Sequence, residues 1–508
     1  MRAPHPRQHL VVQTRVAVIG AGFGGLGMAH YLKQAGFDDV TIYEKGSALG
    51  GVWRDNTYPG AACDVPSHLY SFSFETGYPW SHRFAGQPEI LAYQQHCAQR
   101  HDLMRHIRFG MEVSAARFDE ARSVWTLRFA DGQSIEADVV ISAVGQLHRP
   151  AVPRIPGADQ FSGQVFHSAQ WPASLDFKGK RVAVIGTGAS AVQFVPEIAS
   201  QTKTLHVFQR SPGWVLPREW VSPGAEKPYS AASRKLLKAI PALEALDRAR
   251  IFNVAEALAT AYNSGGAGEA LIRRLCLRNL RKQVPDPELR AKLTPDFPVG
   301  CKRILLTSHW LPALSRPNVE VVTDGVAEIT AHGVRTDDGA LREVDVLIYG
   351  TGFAATDFLA PMEVTGKDGQ ALRAGWRDGA EAFLGMSVAG FPNFFVLYGP
   401  NTNVGSGSII FMLEAQQQYI VQLLQARLQQ HAAAVEVLPE VQSRYNAEIQ
   451  ARSEKSTYTG NCQSWYKTAD GRNTNNWVGT MREFRRRTRQ PDLTDFVFTP
   501  FRQVGRVA

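Results

Sequence analysis

A six-residue sequence occurs twice in this chain of 508 residues, with no difference between the copies. Arg-Val-Ala-Val-Ile-Gly begins at Arg15 and again at Arg181. Each copy leads into a glycine turn, which is Gly20-Ala-Gly22-Phe23-Gly-Gly25 in the first and Gly186-Thr187-Gly188-Ala-Ser190-Ala191 in the second. A short apolar run is typical of a buried parallel strand, and the turn and helix-compatible segment behind it are typical of a dinucleotide-binding βαβ unit. The repeat therefore predicts an α/β chain with two Rossmann-like units.

Later segments repeat in the same order. Val40 to Glu44 and Thr204 to Phe208 read as the second strand of each unit. Asp138 to Gly145 and Asp345 to Gly352 are a further pair of apolar runs that end in glycine. One glycine turn is a weak signal, but the same turn twice with matching strands is a strong one. We expect the last pair of strands to close the two units and pass the chain from one to the other.

These patterns predict a chain that leaves the first unit and returns to it. The Pro-rich stretch 150–156 reads as the outbound linker, and a segment at 223–298, rich in Ala, Leu, Arg and Lys, reads as helical. We predict that residues 1–149 and 381–508 form the first dinucleotide-binding domain. Residues 150–222 and 319–380 then form the second domain, and residues 223–318 form a helical insertion.

The charges after the second strands predict which cofactor each unit binds. Glu44 lies 24 residues after Gly20, and Arg210 lies 24 residues after Gly186. A carboxylate at this position accepts hydrogen bonds from ribose hydroxyls and repels a 2′-phosphate, whereas a guanidinium favours the phosphate. We therefore expect FAD in the first unit and NADPH in the second. Ser211 and Lys302 are candidates for further phosphate contacts, and the alternative for Arg210 is an ordinary surface arginine.

Composition excludes several other classes of protein. Hydrophobic residues make up 44% and charged residues 20%, as in an ordinary globular protein, and no apolar stretch reaches the roughly 20 residues that span a bilayer. The net charge is +8, but no nucleic-acid motif accompanies it. Met1 to Gln13 has no apolar signal core and is expected to be a disordered lead. A cytoplasmic protein is the resulting expectation.

The five cysteines favour neither a metal site nor a disulfide framework. They are scattered, odd in number and contain no C-x-x-C pair. Cys63 and Cys301 lie inside motifs of interest, and each is expected to be a small buried filler and not a nucleophile.

The linker between the two units carries a family signature. It reads F-x-G-x-x-x-H-x-x-x-W followed by Pro, at Phe161, Gly163, His167, Trp171 and Pro172. The chain resembles the single-component, FAD- and NADPH-using Baeyer–Villiger monooxygenases, which share this signature. Related flavin monooxygenases for amines and sulfides usually carry Tyr or Phe where Trp171 stands.

A second signature of that family, G-x-W and then an aromatic-Pro-Gly and a later Asp, agrees with this. It matches Gly51-Val-Trp53, Tyr58-Pro-Gly60 and Asp64. Order and spacing agree with the family from about residue 15 to 490.

The resemblance implies a reaction and assigns roles. It implies NADPH- and O2-dependent conversion of ketones to esters or lactones through a flavin C4a-peroxide. Arg303, in Gly300-Cys-Lys-Arg303, is then the catalytic arginine, and Asp64 is the acid that pairs with it. Trp465 belongs to a mobile loop that closes over the nicotinamide cofactor, and His167 and Trp171 couple cofactor occupancy to domain position.

Other readings of these residues remain open. Arg303 is compatible with a structural salt bridge, Asp64 with a turn, Trp465 with core packing and His167 with a general base. No second His or Cys lies at ligand spacing from His167, so a metal site is not expected there. The cofactor-binding residues that we expect form one set: Gly20, Gly22, Phe23, Gly25, Glu44, Lys45, Gly51, Trp53, Tyr58, Asp64, Val113, Gly186, Thr187, Gly188, Ser190, Gln193, Arg210, Ser211, Lys302 and Trp465.

Three alternative functions follow from the same sequence. A flavin-containing N- or S-oxygenase acts on soft nucleophiles with the same cofactors. A flavin disulfide reductase shares two Rossmann units but needs a dithiol, and a non-catalytic flavin-binding sensor needs no substrate. Linear, cyclic, aromatic and polycyclic ketones all remain open as substrates, and the expected state is a monomer or a weak homo-oligomer.

Overall fold

The computed structural model describes residues 14–222, 224–264 and 266–501. The expected lead, Met1 to Gln13, and Pro223, with which the predicted insertion begins, lie outside these residues. The first elements are β1 Val16–Ile19, α1 Phe23–Gln34, β2 Val40–Glu44, α2 Val52–Asp55, α3 Gln87–Arg100, β3 Ile107–Phe109, β4 Val113–Asp119, β5 Val124–Phe129, β6 Ser134–Ala137 and β7 Val139–Ser142.

The middle of the chain contains the second repeat and a set of helices. Its elements are β8 Gln164–His167, β9 Arg181–Ile185, α4 Ala191–Ala199, β10 Thr204–Phe208, β11 Val215–Leu216, α5 Arg218–Val221, α6 Ala231–Ala239, α7 Pro241–Ser264, α8 Gly266–Gln283, α9 Pro287–Lys292, β12 Leu305–Leu306, α10 Trp310–Leu314, β13 Val319–Val322, β14 Val326–Thr330, β15 Gly333–Thr336, β16 Leu341–Glu343 and β17 Val346–Tyr349. The last part contributes β18 Glu363–Thr365, α11 Leu372–Gly375, β19 Phe394–Val396, α12 Ile409–Gln429, β20 Ala432–Val437, α13 Pro439–Glu454, α14 Met481–Arg487 and β21 Phe496–Pro500.

A parallel five-stranded sheet is the centre of the first unit, in the order β19-β7-β1-β2-β3. All four residues of β1 are buried. Because side chains alternate along a strand, Val16 and Val18 pack in the core that contains α1 and α12. Ala17 and Ile19 face the core under β4 and β5. Burial on both faces explains why the strand is a continuous apolar run.

The second parallel sheet has the order β13-β10-β9-β17-β8 and repeats this arrangement. Val182 and Val184 of β9 pack in the core with α4 and α10, and Ala183 packs in the core under β14 and β15. In both sheets the strand of the repeated sequence lies between the second strand of its unit and the closing strand.

An ion pair repeats with the strands. The amide and guanidinium of Arg15 both donate to Asp138, and those of Arg181 donate in the same way to Asp345. Each pair joins the residue that begins the repeated strand to the residue just before the closing strand. The sequence repeat therefore extends to side-chain pairing at the amino ends of both sheets.

Two linkers that run side by side join the units. The amide of Ala151 donates to the Gly352 carbonyl and that of Ala354 to the Arg149 carbonyl, both at 2.9 Å. The Thr351 hydroxyl donates to the Ala151 carbonyl. The outbound and returning linkers therefore form one short antiparallel connection.

The helices of the predicted insertion pack between the two units. Ala255 of α7 belongs to the first unit's core, and Leu280 of α8 belongs to that of the second. Asp247 of α7 contacts His68 and Arg83 of the first unit at 2.7 and 2.9 Å. Helix α7 therefore lies against the first unit and not in solvent.

This architecture confirms the predicted fold class, an α/β chain with two Rossmann-like units and a helical insertion. Strand β19, Phe394–Val396, and the long helix α12, Ile409–Gln429, return the chain to the first unit. Across the described residues, no helix combines the length and the apolar character that crossing a bilayer requires.

Candidate active site

Both glycine turns lie at the carboxyl ends of the parallel strands and leave room above them. Gly20 and Gly186 have φ of +103° and +107°, in the left-handed region that favours glycine. A methyl group on Gly22 would meet nothing nearer than the Gly51 Cα, at 3.8 Å, and one on Gly188 nothing nearer than the Gly350 oxygen, at 4.0 Å. This open space over a helix N-terminus fits the pyrophosphate of a dinucleotide at each turn.

The third small residue is Gly25 in the first turn and Ala191 in the second, and the two residues pack against different neighbours. A methyl group on Gly25 would overlap the carbonyl oxygen of Gly20, so helix α1 needs glycine there. Ala191 occupies the corresponding place in the second turn and is fully buried against Gly350. The third small residue of each turn therefore sets the spacing of helix and strand.

Glu44 lies where the sequence predicts it, at the end of β2 beside the first turn. It is 4% exposed, and its carboxylate accepts hydrogen bonds from the amides of Ala21 and Gly46, at 2.8 and 2.7 Å. Arg54 also donates to it at 2.9 Å. These contacts fix the carboxylate at the edge of the turn, where a ribose hydroxyl of FAD would reach its remaining lone pairs.

The second turn carries a group of cations that suits a phosphate. Lys302 donates to the Ser211 hydroxyl, and the Thr187 hydroxyl donates to the Ser211 carbonyl. Burial, and then the charge of Arg210, lower the pKa of Lys302. Arg210 is exposed and has no ion pair within the described part of the chain. Two cations that repel each other are stabilised by a shared anion, as the 2′-phosphate of NADPH would be.

Arg303 and Asp64 meet as the sequence predicts, although 239 residues separate them. Nε and Nη2 of Arg303 donate to the two carboxylate oxygens of Asp64, at 2.7 and 2.8 Å. Nη1 donates to the Val404 carbonyl at 3.3 Å. Burial alone would raise the pKa of Asp64, but the guanidinium outweighs it and lowers that pKa. The pair is therefore charged, and the arginine is held in one orientation.

Two tyrosines lie close enough to Arg303 for its charge to act on them. Burial raises the pKa of Tyr466 to about 12, and that of Tyr398 also rises, while Arg303 opposes both shifts. The Tyr398 hydroxyl donates to Asn403 at 2.8 Å. The sequence patterns assigned no role to these tyrosines; the Tyr398-Gly-Pro run after β19 was the only signal that pointed to one of them.

A cavity adjoins this pair. It encloses about 900 Å³ of empty space, part of it continuous with solvent. Arg303 and Asp64 line one side, and residues of α7 line another. Its apolar lining consists of Val65, Pro66, Leu69, Leu216, Ile251, Val254, Ala255, Leu258, Ile304 and Leu306. The sequence did not reveal this wall, because helical periodicity marks an apolar face without identifying what the face covers.

The linker signature lies at the crossing between the units. His167 ends β8, accepts a hydrogen bond from the Ala169 amide at 3.1 Å and contacts the Phe353 ring edge to face. Burial lowers its pKa. Trp171 packs against Phe166 and Phe194 with ring centroids 5.1 Å apart. Neither side chain lines the cavity.

The signature glycine and phenylalanine pack on each other. A methyl group on Gly163 would overlap the ring of Phe161 and the Asp345 carbonyl. The described residues contain no group of three or more His, Cys, Asp or Glu side chains that could hold a metal ion.

Four more of the predicted cofactor residues lie in the first unit. Phe23 is buried in the core of the first unit, and Val113, the first residue of β4, is buried in the core that β4 and β5 cover. Lys45 is exposed beyond Glu44. Trp53 donates to the Tyr70 hydroxyl at 2.9 Å.

Gln193 makes contacts between the units. Its side chain accepts from the Tyr58 hydroxyl at 3.1 Å and donates to the Ala62 carbonyl at 2.9 Å. Ser190 lies at the N-terminus of α4, in the second turn. The structure thus places Tyr58 and Gln193 at a contact between the first unit and helix α4 of the second.

The segment that carries Trp465 lies beside the Arg303 loop. Trp465 is half-buried and packs edge to face on Tyr466, with ring centroids 4.6 Å apart.

Cys301 and Cys462 form a disulfide with a Cα–Cα distance of 6.3 Å. The expectations that no disulfide is present and that Cys301 is a free buried thiol are wrong. Sequence spacing shows only local pairs, and these cysteines lie 161 residues apart. Cys63 is a free buried thiol, as predicted.

Comparison with known proteins shows what the chain is similar to. The family model of flavin-binding monooxygenase-like proteins matches residues 13–229. A Baeyer–Villiger monooxygenase of Streptomyces coelicolor is 44% identical, over 97% of this chain and 94% of the relative. Another, of Pseudomonas aeruginosa, is 42% identical over 96% of this chain and 91% of the relative.

Solved structures agree with this likeness. A steroid monooxygenase with bound NADP superimposes with a TM-score of 0.85 at 31% identity, over 96% of this chain and 99% of that one. The closed form of a cyclohexanone monooxygenase gives 0.84 at 28% identity, with the same coverage.

Proposed function

The chain belongs to the Baeyer–Villiger monooxygenases, and we propose that it oxidises its ketone in the cavity beside Arg303 and Asp64. It is an NADPH- and O2-dependent FAD enzyme that converts ketones to esters or lactones. The observation that carries the location is the hydrogen-bonded Arg303–Asp64 pair in the wall of an apolar cavity.

Arg303 is proposed to stabilise the negative charge that develops at the carbonyl oxygen of the substrate. FAD, when bound, takes up a hydride from NADPH and supplies the activated oxygen atom. A guanidinium has five N–H donors, and Asp64 and Val404 accept from three of them. Two N–H groups are left for an oxyanion, and Arg303 lines the apolar cavity in which the ketone would lie.

Asp64 is proposed to position Arg303 and to balance its charge. Both oxygens of the carboxylate are engaged by the guanidinium, so the arginine cannot rotate away without breaking two charge-assisted hydrogen bonds. The side chains are about one quarter exposed, at 24% and 26%. The pair is therefore accessible to a substrate while remaining largely shielded from solvent.

The lining of the cavity supports aliphatic or alicyclic ketones over aromatic ones. Among the described residues that line it there is no aromatic side chain, so an aryl ring would gain no stacking. Leu, Ile and Val side chains offer a non-directional apolar surface to an aliphatic body. The similar structures come from a steroid and a cyclohexanone monooxygenase, whose names give ketones of very different size.

A ketone panel with the purified holoenzyme tests this proposal. An alicyclic, a linear aliphatic and an aryl ketone are each supplied with NADPH and O2, and the products are identified by mass. We expect esters or lactones from the first two with kcat/KM at least about tenfold above that of the aryl ketone. A preference for the aryl ketone would contradict the assignment of the cavity, and N-oxides or sulfoxides without any ester would favour a soft-nucleophile oxygenase.

We also propose that the enzyme is a monomer or a weak homo-oligomer and that it works in the cytoplasm. Sedimentation at two protein concentrations distinguishes these states from a stable oligomer, which would sediment as a larger species at both.

A further inference from the structure

We propose that Cys301 and Cys462 form a thiol–disulfide exchange site that latches the Trp465 segment, residues 456–467, onto the Arg303 loop. The inference rests on the proposed function in one respect, because the loop that it latches carries Arg303. Cys301 lies two residues before Arg303, and Cys462 lies three before Trp465. The bond therefore joins two segments of the candidate site that are far apart in the chain.

The disulfide is the covalent part of a small contact region. Cys301 Sγ lies 3.3 Å from the Gly460 carbonyl oxygen, and Lys467 Nζ donates to the same oxygen at 2.9 Å. Tyr466 is fully buried and packs in one cluster with Cys301. Asn461 and Gln463, on either side of Cys462, are exposed. The segment is thus fixed at Tyr466, while its tip at Cys462 projects towards solvent.

The two sulfur atoms differ in accessibility, which gives exchange a direction. Cys301 is 0% exposed, whereas Cys462 is partly exposed. An incoming thiolate therefore attacks the sulfur of Cys462, and Cys301 leaves as a thiolate. Lys467 Nζ donates to the same Gly460 carbonyl oxygen that Cys301 Sγ contacts, so a cation lies near the leaving sulfur.

The electrons and protons that reduce the disulfide come from one dithiol or from two molecules of glutathione. The first thiolate forms a mixed disulfide with Cys462 as the bond to Cys301 breaks. A second thiol attacks that mixed disulfide and becomes oxidised, and Cys462 leaves as a thiol. Two electrons and two protons pass to the protein, and the reductant becomes a disulfide. Such reductants are abundant in a reducing compartment, where a disulfide persists only conditionally.

Opening the latch loosens the closure of the site. With the bond intact, the tip of the Trp465 segment cannot move away from the Arg303 loop. When it is reduced, the non-covalent contacts remain and the segment samples open positions that admit water. Activated oxygen is then lost as hydrogen peroxide, so less ester forms for each NADPH consumed.

The bond itself is tested by mass after alkylation of the unfolded holoenzyme. Without reductant we expect three of the five cysteines to be alkylated, and all five after treatment with dithiothreitol. Five alkylated cysteines in protein that has been exposed to air and never reduced would overturn the proposal.

The latch is tested with Cys462→Ser and a matched control, Cys276→Ser. Cys276 is a free buried cysteine of the same hydrophobic cluster as Cys301, but it lies on α8 and outside the cavity lining. Reduction should lower ester formed per NADPH by about threefold in wild type and in Cys276→Ser. Cys462→Ser should form the lowered amount of ester per NADPH both with and without reductant. The latch would be overturned if oxidised and reduced wild type formed equal ester per NADPH. It would also be overturned if Cys462→Ser formed as much ester per NADPH as oxidised wild type.

Limited trypsin digestion separates this inference from the proposed function. Lys455 and Lys467 flank the segment, and we expect faster cleavage there in reduced wild type and in Cys462→Ser. If digestion responds to reduction but no ketone is oxidised, the latch stands and the proposed function fails. If ketones are oxidised but neither the rate of digestion nor the ester formed per NADPH changes on reduction, the proposed function stands and the latch fails.

Discussion

Asp64 and Arg303 act as one unit at the scale of single residues. The carboxylate occupies Nε and Nη2 of the guanidinium, and the charge of Arg303 keeps the pKa of Asp64 low. Removing either partner leaves the other as an uncompensated charge in a partly buried site, which costs more than one lost hydrogen bond. Substitutions at both positions should therefore impair oxygenation through the same loss of oriented positive charge.

Arg303→Ala should abolish most ester formation and leave flavin reduction measurable. Loss of a fixed donor to a developing oxyanion lowers kcat by about 10²–10³. Single-turnover reduction of the flavin by NADPH, followed by quantification of ester, separates the two steps. Arg335→Ala is the matched control, because Arg335 pairs with Glu328 in the small sheet of β14–β16 and does not line the cavity. A normal yield of ester from Arg303→Ala would remove the residue from the reaction.

We predict that Arg210 distinguishes NADPH from NADH through one charge. It lies beside Lys302 at the second glycine turn, where a 2′-phosphate would neutralise both cations. Arg210→Ala should raise KM for NADPH by about tenfold or more and change KM for NADH much less. Steady-state kinetics with both cofactors measures this, with Lys203→Ala as an exposed control in the same domain. Equal increases would show that Arg210 does not read the phosphate.

Helix α7 shows at the element scale how the insertion acquires a function. Its Ile251, Val254, Ala255 and Leu258 line the cavity, and Asp247 ties its first half to Arg83 and His68. The helix is therefore both a wall of the site and part of the contact with the first unit. If the ketone binds in this cavity as proposed, side chains on the inner face of α7 limit its size.

Ala255→Leu should narrow the cavity and select for smaller ketones. The added atoms project into space that a bulky substrate needs, so kcat/KM should fall by about tenfold for a polycyclic ketone and by less than twofold for a small one. Ala249→Leu, on the exposed face of the same helix, serves as the control and should leave both values unchanged. A parallel fall for the two ketones would indicate a general disturbance of the helix.

Elements that bury both faces were predictable from the sequence, and long-range partners were not. The repeated strands β1 and β9 were identifiable because burial on two faces demands an uninterrupted apolar run. The Arg303–Asp64 pair was found through family signatures and not through spacing. The cavity wall from α7 and the Cys301–Cys462 bond depend on contacts between segments far apart in sequence, which local patterns do not encode.

The whole molecule is organised around the crossing between its two units. The paired linkers form one narrow connection, and His167 contacts the returning linker through Phe353. Tyr58 and Gln193, on helix α4, make a second contact between the units. We propose that a change in the relative position of the units alters both the linker contact at His167 and the Tyr58–Gln193 contact, and that this couples cofactor occupancy to closure.

Trp171→Ala should impair the second unit and leave FAD bound in the first. Trp171 packs on Phe166, Phe177 and Phe194 in the second unit, and its removal should destabilise that unit by about 3 kcal/mol. The first unit keeps its own core, so the purified variant should retain FAD while reduction by NADPH and oxygenation fall. Flavin absorbance, the rate of reduction by NADPH and the ester yield, measured on one preparation, check each part. Trp310→Ala, which removes a tryptophan of α10 from the same core and leaves the linker signature unchanged, is the control. A colourless Trp171→Ala protein would instead show that the signature tryptophan supports the whole molecule.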